Sequence, residues 1–241
     1  MILEIDLGNS NLKWRLCTPE AGPVHVAAST AELLCALQAH GAPSRCRMVS
    51  VRHPEVTEAI REELSSCLGV PVTTVLPARV LAGVTNGYRD YRSLGLDRWM
   101  ALVAAYREVG GAAMVIDLGT AMTIDFVTAA GAHLGGYITP GLGLMKAELE
   151  RRTDRVRLPG RYEGGGPALA GPGNSTEEAF LRGVQGMVRA FVMEQIAAAP
   201  ALLGDEPSIL ATGGDAWLIG DLPGVQVVPD LVFRGLALAC P

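Results

Sequence analysis

The sequence is poor in aromatic residues (5%) and in charge (19% of 241 residues), and its net charge is −5. A nucleic-acid surface would show a basic stripe, and none is present. The basic cluster RRTDRVR at 151–157 is interrupted by an acid and reads as a solvated face. Five cysteines, at 17, 35, 46, 67 and 240, show no CxxC or other metal spacing. They fit reduced, mostly buried thiols of a cytosolic protein better than a disulfide framework. The four histidines (25, 40, 53 and 133) lie in unrelated contexts without triad or ligand spacing, which leaves them surface or packing roles. The opening MILEID has an acid at position 4, where a secretory leader would be basic and then apolar. The apolar runs fall well short of the roughly 18 residues of a membrane span. These absences point to a soluble cytoplasmic protein with neither nucleic acid nor membrane as partner. What is abundant is hydrophobic content, 49%, enough to bury the core of one large domain or two of about 120 residues. Trp14, Trp99 and Trp217 are expected in that core.

Two stretches begin alike: EIDLGNSNLKWRL near the start and VIDLGTAMTIDFV downstream, with Asp6 and Asp117 at matching places. Each reads as a strand, a tight turn and a returning strand; in the first, Leu12, Trp14 and Leu16 alternate with Lys13 and Arg15 as in a half-buried strand. Between and after them strands and helices alternate. Helices are expected at 31–40, 55–68, 97–109, around 142–152 and over 175–198, and strands at 47–51, 72–76 and SILAT. A Gly- and Pro-rich loop from about 158 to 173 reads as mobile. The fold class is α/β, two domains with mixed sheets related by internal duplication, 1–112 and 113–241.

A glycine in such a turn lets backbone approach a ligand, and exposed N–H groups there form an anion nest. Asn9, Ser10 and Thr120 add neutral donors, which suits a polyphosphate. Asp6 and Asp117 suit one only with a cation between carboxylate and phosphate, so a metal ion is implied. A third glycine turn, Gly213-Gly214-Asp215, follows the strand ILAT and leads into a helix, a corner that can face a phosphate or a purine ring.

DLGNSNLK (6–13), NGY (86–88), GLDR (95–98), DLGTAMTID (117–125), GGYITPG (135–141), NST (174–176) and TGGD (212–215) occur in the order found in type III pantothenate kinases, and the sequence resembles that family over nearly its whole length. The resemblance implies two ribonuclease-H-like domains of the actin-like, sugar-kinase-like ATPase superfamily, with the nucleotide in the interdomain cleft. It implies ATP phosphates on Asp6, Leu7, Gly8, Asn9, Ser10, Asn11, Leu12 and Lys13, with Asp6 acting through magnesium. Thr120 would also touch ATP. Asp117 would ligate a monovalent cation, potassium or ammonium. Pantothenate would meet Tyr88, Gly95, Leu96, Asp97 and Arg98, with Asp97 as proton acceptor from its hydroxyl. Thr176 would reach substrate in the neighbouring subunit of a homodimer.

Plainer roles stand beside these. Asp97 precedes an apolar-periodic run and is also placed as a helix N-cap. Lys13 also reads as a solvent-facing strand lysine, Tyr88 as a half-buried tyrosine and Asp125 as a turn cap. Ser175-x-x-Glu178 reads as a capping box, which is compatible with Thr176 pointing outward. Beyond Glu177, Ala179, Phe180, Val184 and Met187 form an apolar stripe that packs on a second copy or on the protein's own sheet. The activity implied is ATP-dependent phosphorylation of pantothenate, the first step towards coenzyme A. The alternatives are another small-molecule kinase of the superfamily and a non-catalytic regulatory accessory protein; Asp6, Asp97 and Asp117 together argue for catalysis.

Overall fold

The structure is a computed structural model and describes residues 1–158 and 171–241. The loop expected at 158–173 lies mostly outside the described residues. The chain divides into two compact units, Met1–Glu108 with Asp230–Pro241, and Val109–Pro229.

The first unit is built on a mixed sheet of β1 (Ile2–Leu7), β2 (Leu12–Cys17), β3 (His25–Ala27), β4 (Arg45–Ser50) and β5 (Val72–Thr74), in the order β3-β2-β1-β4-β5. A two-stranded hairpin, β6 (Val80–Leu81) and β7 (Val84–Thr85), follows. The second unit repeats the plan with β8 (Ala113–Leu118), β9 (Ala121–Val127), β10 (His133–Pro140), β11 (Ser208–Thr212) and β12 (Val225–Val227), in the order β10-β9-β8-β11-β12. In both, the opening strand is antiparallel to the next and parallel to the fourth. The repeated motif is therefore the visible part of a duplicated topology.

Parallel neighbours need crossovers, and helices supply them. In the first unit these are α1 (Thr30–Leu37) and α2 (Pro54–Leu68), followed by α3 (Leu96–Val109). The second unit carries α4 (Leu142–Arg152) and α5 (Thr176–Leu203), and α6 (Leu231–Ala239) ends the chain. The first core gathers Leu3, Ile5, Leu7, Leu12, Trp14, Met48 and Leu64; the second gathers Met114, Ile116, Ile124 and Phe126 under Val188 and Val192 of α5. Burying each such side chain stabilises by about 1.5–3 kcal/mol. Trp14 and Trp99 are buried as expected, and Trp217 is partly so.

Several expectations change. Arg15 is not on a solvated strand face but is 4% exposed. It pairs with the fully buried Glu4, which also pairs with Arg47. Arg15 Nη1 lies 2.8 Å from Asp230 Oδ2, its guanidinium sits 5.0 Å from the Phe233 ring centroid, and Arg47 Nη1 donates to the Cys240 carbonyl at 2.6 Å. The cause is α6, which packs on this face and carries the last residues into the first unit. Of the cysteines only Cys46 is buried, its thiol pushed up to about 12 by burial, while Cys35 and Cys67 are exposed. His133 takes the packing role: it is buried, with Nε2 3.1 Å from Asp125 Oδ1.

The residues around 175–198 form one 28-residue helix, α5, with an 18-residue window of mean hydropathy 1.3, long and apolar enough to cross a membrane. Leu181, Val184, Val188 and Val192 on it are buried in the second core, while Met187 and Met193 are about half exposed. The expected apolar stripe is thus divided: Val184 serves its own unit and Met187 faces outward.

Candidate active site

In the first hairpin Leu7 pairs with Leu12, so residues 8–11 form the turn, closed by the Gly8 N–H donating to Asn11 O at 3.1 Å. Asp6, 7% exposed, stands opposite Lys13 across the ladder. The end of β4 braces this turn from behind. The Val51 N–H donates to Leu7 O at 3.2 Å, and Arg52 Nε donates to the Gly8 carbonyl at 2.9 Å.

The second hairpin places Asp117 opposite Thr123 and closes its turn with the Gly119 N–H on Ala121 O at 3.0 Å. Two other motifs converge on it. Gly141, ending GGYITPG, donates to Thr120 O at 3.0 Å, and Asp215 of TGGD donates its N–H to Leu118 O at 2.9 Å. Gly213 has φ +95 and a Cβ there would stand 2.5 Å from Asp117 Oδ1, so only glycine fits. The corner expected to open a helix leads instead into a single 3-10 turn, Ala216–Leu218. Asp125, expected where the chain leaves the strand, lies within β9, buried, with Oδ1 3.1 Å from His133 Nε2.

Tyr88, Gly95, Asp97 and Arg98, which the resemblance assigns to the acceptor, lie together within the first unit. Asn86 Oδ1 accepts from the Tyr88 N–H at 3.0 Å and so shapes the NGY turn. Arg98, 6% exposed, donates Nη1–H to the Tyr88 hydroxyl at 2.8 Å, with its guanidinium 5.6 Å from that ring's centroid. Asp97 lies inside the first turn of α3, not at its N-cap, and its Oδ1 accepts the Arg98 N–H at 2.7 Å. An acid in a helix's first turn gains from the partial positive charge of the free N–H groups. Gly95 gives the carboxylate its room, since a Cβ there would stand 2.8 Å from Asp97 Oδ1.

Beside this corner a cleft of about 630 Å³ opens, lined by Arg52, Val75, Leu76, Leu94, Gly95 and Leu96 among others. Its volume suits a small molecule. Thr176 is the exposed first residue of α5 in the second unit. Ser175 caps that helix by accepting the Glu178 N–H at 3.2 Å, while the Glu178 side chain reaches back to the Asn174 N–H at 3.3 Å.

Sequence reasoning read Asn86 only as part of NGY and passed over Arg52. For Arg52 the available signal was position: it follows the end of a parallel strand, where open α/β sheets bind ligands.

Two sheets of one topology, each opening on an Asp-Leu-Gly hairpin turn, define a duplicated mixed α/β fold. Solved structures share the fold. A Campylobacter jejuni protein named for the Baf family of transcriptional activators superposes with TM-score 0.64 at 21% identity, over 98% of this chain and 95% of that one. A Sinorhizobium meliloti protein named as a 2-dehydro-3-deoxygalactonokinase gives 0.54 at 15% identity, over 99% and 98%. The family model for type III pantothenate kinase matches residues 2–198. The type III pantothenate kinase of Pseudomonas syringae pv. syringae (strain B728a) is 47% identical over 247 residues, covering 100% of this chain and 99% of the relative. That of Pseudomonas aeruginosa (strain LESB58) is 48% identical over 246 residues with the same coverage. The chain belongs to the type III pantothenate kinase family.

Proposed function

We propose that this chain is an ATP-dependent kinase that phosphorylates the primary alcohol of pantothenate, the step that opens coenzyme A synthesis. The observation that carries the reading is the Tyr88–Arg98 pair beside Asp97, on one corner of the first unit next to a cleft of small-molecule size. Pantothenate has an alcohol at one end and a carboxylate at the other. It needs a proton acceptor near the first and donors near the second, and Asp97 and Arg98 are those groups. In a loose phosphoryl-transfer transition state the alcohol keeps its proton until late, so an ordinary carboxylate orients it and then accepts the proton.

Residues 6–13 and Thr120 take the nucleotide's phosphates. Among the described residues no three His, Cys, Asp or Glu side chains converge. That fits magnesium, which is held by one or two carboxylates together with substrate phosphates rather than by an all-protein cage. Asp6 is the carboxylate for it, and when bound it neutralises charge on the phosphates. Asp117, crowded by the bare backbone of Gly213, offers hard oxygen donors suited to potassium or ammonium. The working form is a cytoplasmic homodimer in which Thr176 reaches the partner's substrate; the outward Met187 and Met193 on the same helix support this.

The test is an assay of the purified chain with pantothenate, magnesium-ATP and potassium, with phosphopantothenate identified by mass spectrometry. Asp97→Asn lowers turnover by about 10²-fold or more while nucleotide affinity holds. Product from other alcohols but not from pantothenate would assign a different small-molecule kinase. Turnover of Asp97→Asn within a few-fold of the parent would place the proton acceptor elsewhere.

A further inference from the structure

Arg52, like the more deeply buried Arg98, is partly withdrawn from solvent. Arg15, Arg47, Arg182 and Arg189 each face a carboxylate. Arg52 is half-buried, and among the described residues no carboxylate pairs with it. Among the described residues its one side-chain hydrogen bond runs from Nε to the Gly8 carbonyl at 2.9 Å. Both Nη groups, with four N–H donors, are left for something else. Its backbone is fixed, because the Arg52 N–H donates to Ser50 Oγ at 3.2 Å and Ser50 Oγ lies 2.7 Å from Thr57 Oγ1.

Two features locate its missing acceptor. The Gly8 carbonyl belongs to the first Asp-Leu-Gly turn, so the guanidinium is held one hydrogen bond from a phosphate-binding loop. The same side chain lines the cleft that Gly95 and Leu96 also line, at the start of the helix carrying Asp97. In that cleft wall Thr74 Oγ1 is buried and has no hydrogen-bond partner among the described residues. A charge-assisted donor fork with no acid of its own, between a phosphate turn and an acceptor cleft, matches the three oxygens of a phosphoryl group in transit.

We infer that Arg52 is a further catalytic residue, donating Nη–H groups to the oxygens of the γ-phosphoryl group as it passes from ATP to the acceptor alcohol. This rests on the phosphotransfer reading above. In the step, the bond from the γ-phosphorus to the bridging oxygen breaks and its electron pair stays on ADP. The alcohol oxygen forms the new bond to phosphorus, and the alcohol proton goes to Asp97. Arg52 forms and breaks no covalent bond; it stabilises charge that spreads over the phosphoryl oxygens.

The variants are Arg52→Ala, Arg52→Lys and Arg52→Gln, the last keeping an N–H for the Gly8 carbonyl if the alanine chain folds poorly. Arg52→Gln and Arg52→Ala lower kcat by about 10²–10³-fold, the usual loss on removing one such donor. KM for ATP stays within about threefold and thermal stability stays close to the parent's. Guanidinium chloride at low concentration restores part of the rate to Arg52→Ala and none to Asp97→Asn. Arg52→Lys keeps less than a tenth of the parent rate, because a point charge does not replace the fork. ATP hydrolysis without an acceptor falls by a similar factor, so the effect is read whether or not pantothenate is the acceptor. A kcat within threefold of the parent in these assays, or a higher KM for ATP with lower stability and no guanidinium rescue, overturns the inference and leaves Arg52 a brace for the turn.

Discussion

Replacing Gly95 by alanine tests the site with one methyl group. Gly95 is not in the left-handed region, so an alanine backbone is accommodated there. The added Cβ would stand 2.8 Å from Asp97 Oδ1, where ordinary contact begins at 3.4 Å. The carboxylate must therefore yield by about 0.6 Å or rotate away, weakening the bond it accepts from the Arg98 N–H at 2.7 Å. One such hydrogen bond is worth about 0.5–1.5 kcal/mol, so the melting temperature falls by only a few degrees in a chain of this size. Catalysis is more sensitive. A misplacement of about 1 Å can cost about 10²-fold, so roughly tenfold or more is expected here, below the 10²–10⁴-fold of losing a proton acceptor altogether.

The assay is steady-state kinetics of Gly95→Ala beside Gly143→Ala, the control, where an added Cβ meets nothing within 4 Å. Gly143→Ala lies in α4 and should be neutral or slightly stabilising. The double variant Gly95→Ala/Asp97→Asn separates the causes. If the methyl acts through Asp97, it costs nothing further once Asp97 is asparagine. If it blocks substrate, KM for pantothenate rises in both backgrounds. A kcat for Gly95→Ala within threefold of the parent would refute the claim that this carboxylate's placement matters.

Replacing potassium with sodium should lower the rate sharply, and Asp117→Asn should blunt the difference; equal rates in potassium, in sodium and without either ion would remove Asp117 from cation binding. Glu4→Gln leaves Arg15 and Arg47 without their shared buried acid, a loss of about 3–5 kcal/mol and roughly 10 °C in melting temperature. Urea denaturation showing less than about 1 kcal/mol would mean the arginines find other partners. Co-refolding Asp97→Asn with Thr176→Val chains should regain activity if each site draws on two chains; no recovery in mixtures shown to contain heterodimers would confine Thr176 to its own chain.

The hairpins were legible because a period of two and an Asp-Leu-Gly turn are local signals that need no knowledge of the rest of the chain. The long helices α2 and α3 were legible for the same reason. Strands of three residues, β3, β5 and β12, carry too few alternations to be read so firmly; β5 was caught as a longer strand, while β3 and β12 were missed. Arg15 was misread because alternation assigns long cations to water, and the layer it forms with Glu4 and Arg47 gave no local signal. Here Arg15 finds a partner 215 residues away in Asp230, ahead of a nine-residue helix that gave no separate signal. The Tyr88–Arg98 contact was legible only as two motifs read by resemblance, since a separation of ten residues through a turn does not state which side chains meet.

The duplication also explains why the two turns are braced differently. Corresponding strands, β4 and β11, run parallel to the opening strand of each unit, and the chain leaving each of them donates an N–H to the residue before the turn glycine: Val51 to Leu7 O, Asp215 to Leu118 O. From that shared corner the copies diverge. The second has Gly213 and Gly214, bare backbone on which a neutral ring can lie. The first has Arg52, a cation with spare donors held against the turn. Bare backbone adds no charge, whereas the guanidinium brings a positive one. The cationic copy lies in the unit that carries Asp97, as the role inferred for Arg52 in phosphoryl transfer requires.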